Sequence, residues 1–115
     1  MPLLHLATNV TLETDAEQRL ATGLSEAAAR LLGKPERYVM VVVESGLTMR
    51  FGGSDAPCAH LQLKSLGLPG DETGRLSAAL CDHLAEALKL AADRIYIEFS
   101  SPERHMWGWN RTTFG

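Results

Sequence analysis

Pro2 follows Met1 directly and opens an apolar run, Leu3-Leu4-His5-Leu6. A small second residue permits removal of the initiator methionine. The chain would then begin with a proline whose nitrogen is a secondary amine and no longer an amide. Such an amine acts as a base or nucleophile only while it is neutral. Desolvation disfavours its charged form, and a neighbouring lysine pushes the same way. Pro2 is therefore the candidate general base, working near neutral pH. Taken alone, position 2 favours a plainer reading, a proline that opens an edge strand; the rest of the chain reverses it. The other residue types that do chemistry carry weaker signals. His5, His60, His83 and His105 show no metal-ligand spacing, so no metal site is expected. Cys58 and Cys81 form no C-x-x-C pair, and no structural disulfide is implied. Cys81, between Leu80 and Leu84, reads as a buried, inert thiol. Gly52-Gly53-Ser54 lacks the strand–GxxxxGK–helix setting of a phosphate loop. Asn110-Arg111-Thr112 fits a glycosylation sequon, which carries no weight without a signal peptide.

Two helices and four strands must position these residues. The first helix is expected from a capping box, Thr14-Asp15-Ala16-Glu17. Its apolar stripe is Leu20, Leu24, Ala27 and Leu31, and Gly33-Lys34-Pro35 ends it. The second is expected from Asp71-Glu72, with acids in its first turn complementing the helix dipole. Its stripe is Leu76, Leu80, Leu84 and Leu88, and it frays towards Asp93. Strands are expected at about 3–9, 38–44, 59–66 and 94–99, with a short strand or turn near 107–110. The run Val39 to Val43 is apolar on both faces, as in a covered inner strand. From Ala59 the pattern alternates: Ala59, Leu61 and Leu63 face one way, and His60, Gln62 and Lys64 the other.

The order is strand, helix, strand, repeated once. The halves, about 1–57 and 58–115, echo one another at an offset of about 57 residues, with Arg37 and Arg94 each opening a strand after a helix. The expected fold is α/β (α+β), a single domain over 1–115 built from duplicated βαβ units. Right-handed crossovers place both helices on one face of a four-stranded mixed sheet. The opposite face is left bare and apolar, so oligomerisation is expected. The 115 residues suit one domain or one protomer. A net charge of -3, with Lys and Arg scattered, argues against a nucleic-acid partner. No apolar stretch reaches the length of a membrane span, and the start lacks the basic and long apolar regions of a signal peptide. A cytoplasmic location is expected.

Read together, Met1-Pro2, Thr8-Asn9-Val10, Gly33-Lys34-Pro35, Met49 to Ser54, Pro57-Cys58-Ala59, Ser65-Leu66-Gly67, Asp93 to Ile97, Gly108-Trp109-Asn110 and Thr113-Phe114 resemble the macrophage migration inhibitory factor family of the tautomerase superfamily. The resemblance covers essentially the whole chain. It implies a homotrimer whose three sheets wrap into a barrel, with helices outside and active sites at subunit boundaries. It implies cofactor-independent keto–enol tautomerisation of small aromatic 2-keto acids such as phenylpyruvate, and of dopachrome-like compounds. Some members are leaderless secreted cytokines acting through a cell-surface receptor. Export by such a route, with a receptor as partner, is the alternative function.

Carried over residue by residue, the resemblance makes Pro2 the catalytic base. Lys34 would pair with the substrate carboxylate and hold developing enolate charge. Without the resemblance, Lys34 reads as a solvated lysine at a helix C-terminus. Leu66 matches a position whose backbone N–H contacts substrate, and Ser65 stands on the pocket rim. Tyr96 would come from the neighbouring subunit as a wall and hydrogen-bond donor. Trp107, Trp109 and Phe114 are aromatics near the C-terminus, where the family builds part of the pocket wall; Trp109 could instead be an interface or core residue. Glu98 departs from the vertebrate pattern, which has Asn there. Its carboxylate could repel an acidic substrate, raise the amine pKa, turn away or pair with Arg104. Leu61 stands where vertebrate members carry a second Cys, so a disulfide closing within Cys58 to Leu61 is unavailable.

Overall fold

The computed structural model describes residues 1–115. Strand β1 (Pro2–Thr8) leads through a short loop into helix α1 (Thr14–Leu32), and the chain returns as β2 (Met40–Glu44). The pattern repeats with β3 (Ala59–Ser65), α2 (Thr73–Leu88) and β4 (Ile95–Ser100). A small hairpin, β5 (Gly108–Trp109) and β6 (Thr112–Thr113), closes the chain. The sheet order is β2-β1-β3-β4. β1 runs parallel to β2 and antiparallel to β3, and β3 runs parallel to β4. This is the mixed four-stranded sheet with two helices that the sequence predicts.

Period-two burial on the strands meets period-four stripes on the helices. Leu4 and Leu6 of β1 and Leu61 and Leu63 of β3 are at most 1% exposed. They pack against Leu20, Leu24 and Ala28 of α1 and Leu80, Leu84 and Leu88 of α2. Each such leucine taken from water contributes about 1.5–3 kcal/mol before chain entropy is set against it. The odd residues of β1 and even residues of β3 face away from the helices. That second face carries Leu3, His5, Met40, Val42, His60, Gln62, Lys64, Tyr96 and Glu98, with Met40 and Tyr96 more than 60% exposed.

Several local expectations are corrected. The run 39–43 is not an inner strand: β2 lies at the sheet edge, and its alternate residues Met40 and Val42 are exposed. Thr14 makes no side-chain cap; Glu13 holds the N-cap position without one. The Glu17 carboxylate instead accepts a hydrogen bond from Ser45 Oγ at 2.8 Å, so the box is opened by a tertiary partner. Asp71 and Glu72 lie in a 3₁₀ turn (Gly70–Glu72) before α2, not in its first turn. Nor does α2 fray: Lys89 adopts the left-handed conformation (φ 58°) and stops it, and a separate 3₁₀ turn covers Ala92–Arg94. The first helix ends where expected, at Gly33 with φ 64°. Glycine occupies that region without a Cβ penalty.

Candidate active site

β1 starts at Pro2, and its side chain is fully buried on the helix side of the sheet. Its cross-strand partner is Ser65, the last residue of β3. The turn after α1 brings Lys34 to the same end of the sheet. The N–H of Lys34 caps Ala29 O at 3.1 Å, and Nζ donates to Leu66 O at 2.8 Å. That bond ties the first βαβ unit to the end of β3. It uses one of the three ammonium donors.

The amino terminus feels this arrangement. The Met1 amine is held below the ordinary 8.0 of a terminal amine. Burial is the largest cause, followed by the charges of Lys34 and Arg104 and a hydrogen bond with Lys34. All of these favour the neutral amine. In the chain that retains Met1, the Pro2 nitrogen is an amide, so the amine subject to these forces is one residue outward from Pro2.

A cavity of about 350 Å³ opens here, lined by Met1, Pro2, Leu3, Arg37, Tyr38, Val39, Met40, Trp107, Gly108 and Trp109. Its wall is an aromatic assembly. Tyr38 meets Trp109 edge to face at 5.8 Å, and Trp109 stacks on Phe114 at 6.0 Å. Arg37 lies over the Tyr38 ring at 4.7 Å. Arg104 Nε donates to Phe114 O at 3.0 Å, and Phe114 N donates to Trp107 O, which folds the tail onto β1 and β2. The cavity thus combines flat apolar walls, several cations and no carboxylate. A larger concavity of about 380 Å³ on the open sheet face is lined by Leu3, His5, Val42, Gln62 and Lys64, and a cleft of about 290 Å³ separates the helices. Neither gathers a desolvated amine with cations and aromatic rings.

Of the residues singled out from the sequence, Pro2 and Trp107 line the cavity, and Lys34 stands beside the amino terminus. Ser65 is not on a rim; it is fully buried opposite Pro2. Leu66 is 4% exposed and meets Lys34 through its carbonyl. Phe114 backs Trp109 without lining the cavity. Tyr96 and Glu98 lie on the open face of β4, separated from β1 by β3, and do not line the cavity of their own chain. Tyr96 packs on the Phe51 ring at 4.4 Å. Glu98 pairs with His60 Nε2 at 2.5 Å and not with Arg104.

Arg37, Tyr38 and Met40 are wall residues the sequence reading passes over. Arg37 and Tyr38 sit in a 3₁₀ turn (Glu36–Tyr38), where no periodicity marks them. The available signal was an Arg-Tyr pair within four residues of Lys34. Trp109, one of the C-terminal aromatics expected at the wall, lines the cavity and stays 52% exposed. No group of three or more His, Cys, Asp or Glu side chains is placed to hold a metal ion, and no helix is long and apolar enough to cross a membrane.

The family model for macrophage migration inhibitory factor matches residues 1–115. A macrophage migration inhibitory factor homolog from Brugia malayi is 39% identical over the whole of both chains. A D-dopachrome decarboxylase-B from Xenopus laevis is 40% identical, covering 97% of this chain and 96% of its own. The crystal structure of a homologue from Prochlorococcus marinus superposes with a TM-score of 0.91 at 40% identity, over 98% of this chain and 99% of the other. With the sheet order, the buried Pro2 and the cation-flanked amino terminus already in place, the chain belongs to the macrophage migration inhibitory factor family.

Proposed function

We propose that the chain is a cofactor-independent keto–enol tautomerase acting on small aromatic 2-keto acids of the phenylpyruvate or dopachrome type. The observation that carries this reading is an amino terminus at a cavity walled by Trp107, Trp109 and Tyr38, its amine depressed by burial and by the charges of Lys34 and Arg104. Removal of Met1 makes the Pro2 nitrogen the terminal amine. The Pro2 ring is buried on the helix side of the sheet, so the new amine starts from an apolar setting.

In this reading the neutral Pro2 nitrogen takes a proton from the carbon beside the keto group. The enolate oxygen becomes negative as the amine becomes positive. The proton then returns at the other end of the enol system, and the amine is neutral again. The Lys34 ammonium takes the substrate carboxylate and the developing oxyanion. Leu66 offers its backbone N–H. The aromatic ring of the substrate lies against Trp107 and Trp109, with Phe114 behind them.

The open sheet face supports a homotrimer. Met40, Val42 and Tyr96 leave apolar surface in water, and an edge strand with two apolar faces wants a cover. In a trimer a neighbour's Tyr96 and Glu98 would reach the Pro2 cavity. The His60–Glu98 pair would offset the Glu98 charge whenever His60 is protonated, which softens repulsion of an acidic substrate.

The test is phenylpyruvate ketonisation by protein whose intact mass confirms loss of Met1, beside Pro2→Gly. The reading requires activity in the parent and a fall of about 10²–10⁴-fold in the variant. Equal rates in both, or an inactive but folded and processed parent, would overturn it.

A further inference from the structure

Two polar residues are buried in this molecule, Thr8 and Ser65, both 0% exposed. They stand at opposite ends of the β1–β3 ladder, where Thr8 faces Ala59 and Pro2 faces Ser65. Thr8 is fully used: its Oγ1 donates to Cys58 O at 2.7 Å and accepts from Val10 N at 3.1 Å. Ser65 Oγ has no partner. A buried hydroxyl left unpaired is costly, and folded proteins rarely tolerate one without a reason.

The residue across the ladder supplies the reason. While Met1 is attached, the Pro2 nitrogen is a tertiary amide with no hydrogen to give and no useful lone pair. Removing Met1 changes that one atom. The nitrogen gains an N–H and a basic lone pair, on the residue whose side chain shares the buried face with Ser65. We propose that the Ser65 hydroxyl is the hydrogen-bond partner of the Pro2 nitrogen in the processed chain, and that Ser65 is thereby a positioning residue for that amine. The proposal rests on the reading of Pro2 as the reactive amine.

A hydroxyl is suited to this because it can both donate and accept. It donates to the lone pair of the neutral amine and fixes the direction of the nitrogen between turnovers. When the amine is protonated, the hydroxyl rotates and accepts from N–H⁺, and this charge-assisted bond is the stronger of the two. Ser65 therefore favours the protonated amine, against burial and the surrounding cations. Those cations are Lys34 from the turn after α1, Arg37 from the turn before β2 and Arg104 from the turn before β5; the Tyr38 hydroxyl is the other titratable group on the cavity wall. Lys64, next to Ser65 on β3, is on the opposite face.

The experiment follows the Pro2 nitrogen directly. Processed protein labelled with ¹⁵N-proline is titrated by NMR as the parent, Ser65→Ala, Ser65→Thr and Ser65→Cys. The midpoint of Ser65→Ala falls, by up to about one pH unit; Ser65→Thr keeps the parental value, and Ser65→Cys lies between. Ketonisation by Ser65→Ala loses several-fold in kcat with little change in KM. A second measurement compares thermal unfolding with and without Met1. Ser65→Ala is no less stable than the parent while Met1 is present, because no bond is lost, and is less stable only after processing. Parental titration in Ser65→Ala, or an equal loss of stability in both forms, would overturn the proposal. If Ser65→Ala does not fold, the Ser65→Cys titration decides in the same way. The titration needs no substrate, so a failed tautomerase assay leaves this test intact.

Discussion

The two βαβ units use one geometry for different ends. In each, a helix stops at a left-handed residue, Gly33 (φ 64°) after α1 and Lys89 (φ 58°) after α2. In each, the next backbone N–H closes on an alanine carbonyl five residues back, Lys34 on Ala29 and Leu90 on Ala85. The residue so placed is an ammonium beside the amino terminus in the first unit. In the second it is Leu90, 7% exposed and part of the core. The arginines diverge likewise. Arg37 lies on Tyr38 at the cavity wall, whereas Arg94 donates to the carbonyls of Phe51, Ser54, Ala56 and Pro57 and pins the loop before β3. The first unit exposes at its helix exit what the second buries. Equivalent backbone positions therefore carry no fixed role: in the first unit the residue stands beside the amino terminus, and in the second it joins the core.

Exchanging the helix-exit residues puts that contrast under the greatest strain. Lys34→Met should lower ketonisation by about 10²–10³-fold, the usual cost of removing one donor to a developing oxyanion. Its stability should fall by about 1–2 kcal/mol, from loss of the bond to Leu66 O, less than for the core change at Leu90. Leu90→Ala should do the reverse, losing about 2–5 kcal/mol of stability, with turnover per folded molecule nearly unchanged. Denaturant unfolding and steady-state rates on both variants separate the two effects. If Lys34→Met unfolds the protein, or Leu90→Ala abolishes turnover in folded molecules, the division between the units fails.

The stop signals give smaller effects of opposite sign. A Cβ at Gly33 would meet nothing within 4 Å, so Gly33→Ala costs only the left-handed backbone term, about 1–2 kcal/mol. Lys89→Gly relieves the same strain and should raise stability by up to about 1 kcal/mol. Thermal melts of both would sharpen the comparison. A gain from Gly33→Ala would mean that the turn holding Lys34 is not set by glycine.

These pairs also show what the sequence could reveal. The stripe Leu76-Leu80-Leu84-Leu88 and the alternation from Ala59 to Lys64 are legible because local periodicity and burial agree. The end of α1 is legible because Gly33 meets a steric need. The end of α2 was not, because a lysine fills the same role against its own preference. The edge position of β2 was hidden because its run of apolar residues is the pattern of a strand covered on both faces, although one face here is open. At the site, Pro2 and Lys34 stood out as residue types at informative places. Arg37 and Tyr38 did not, because a 3₁₀ turn has no periodic signature. The partnerless Ser65 hydroxyl emerges only once β1 and β3 are in register.

The smallest effects concern pH, and here the first unit is set against the tail that folds onto it. The terminal amine is lowered by burial first, by Lys34 second and by Arg104 third. If the processed terminal amine is the base, as proposed, only its neutral form takes a proton from substrate, so activity should rise with pH as that amine loses its proton. Lys34→Met should move that limb to higher pH, and Arg104→Gln should move it the same way but less. Added salt should shrink the Arg104 effect, because that side chain is exposed and its field is screened. Stability follows the same sign in the chain that retains Met1. A base whose folded pKa is depressed binds its proton more tightly when unfolded. Its contribution is therefore complete above the unfolded value of 8.0. It declines as pH falls towards the folded value and is constant below that. Removing Arg104 narrows that window from its lower edge. Rate profiles at low and high salt for the parent and both variants check the order. A larger shift for Arg104→Gln than for Lys34→Met would place control of the amine in the tail and not at the helix exit.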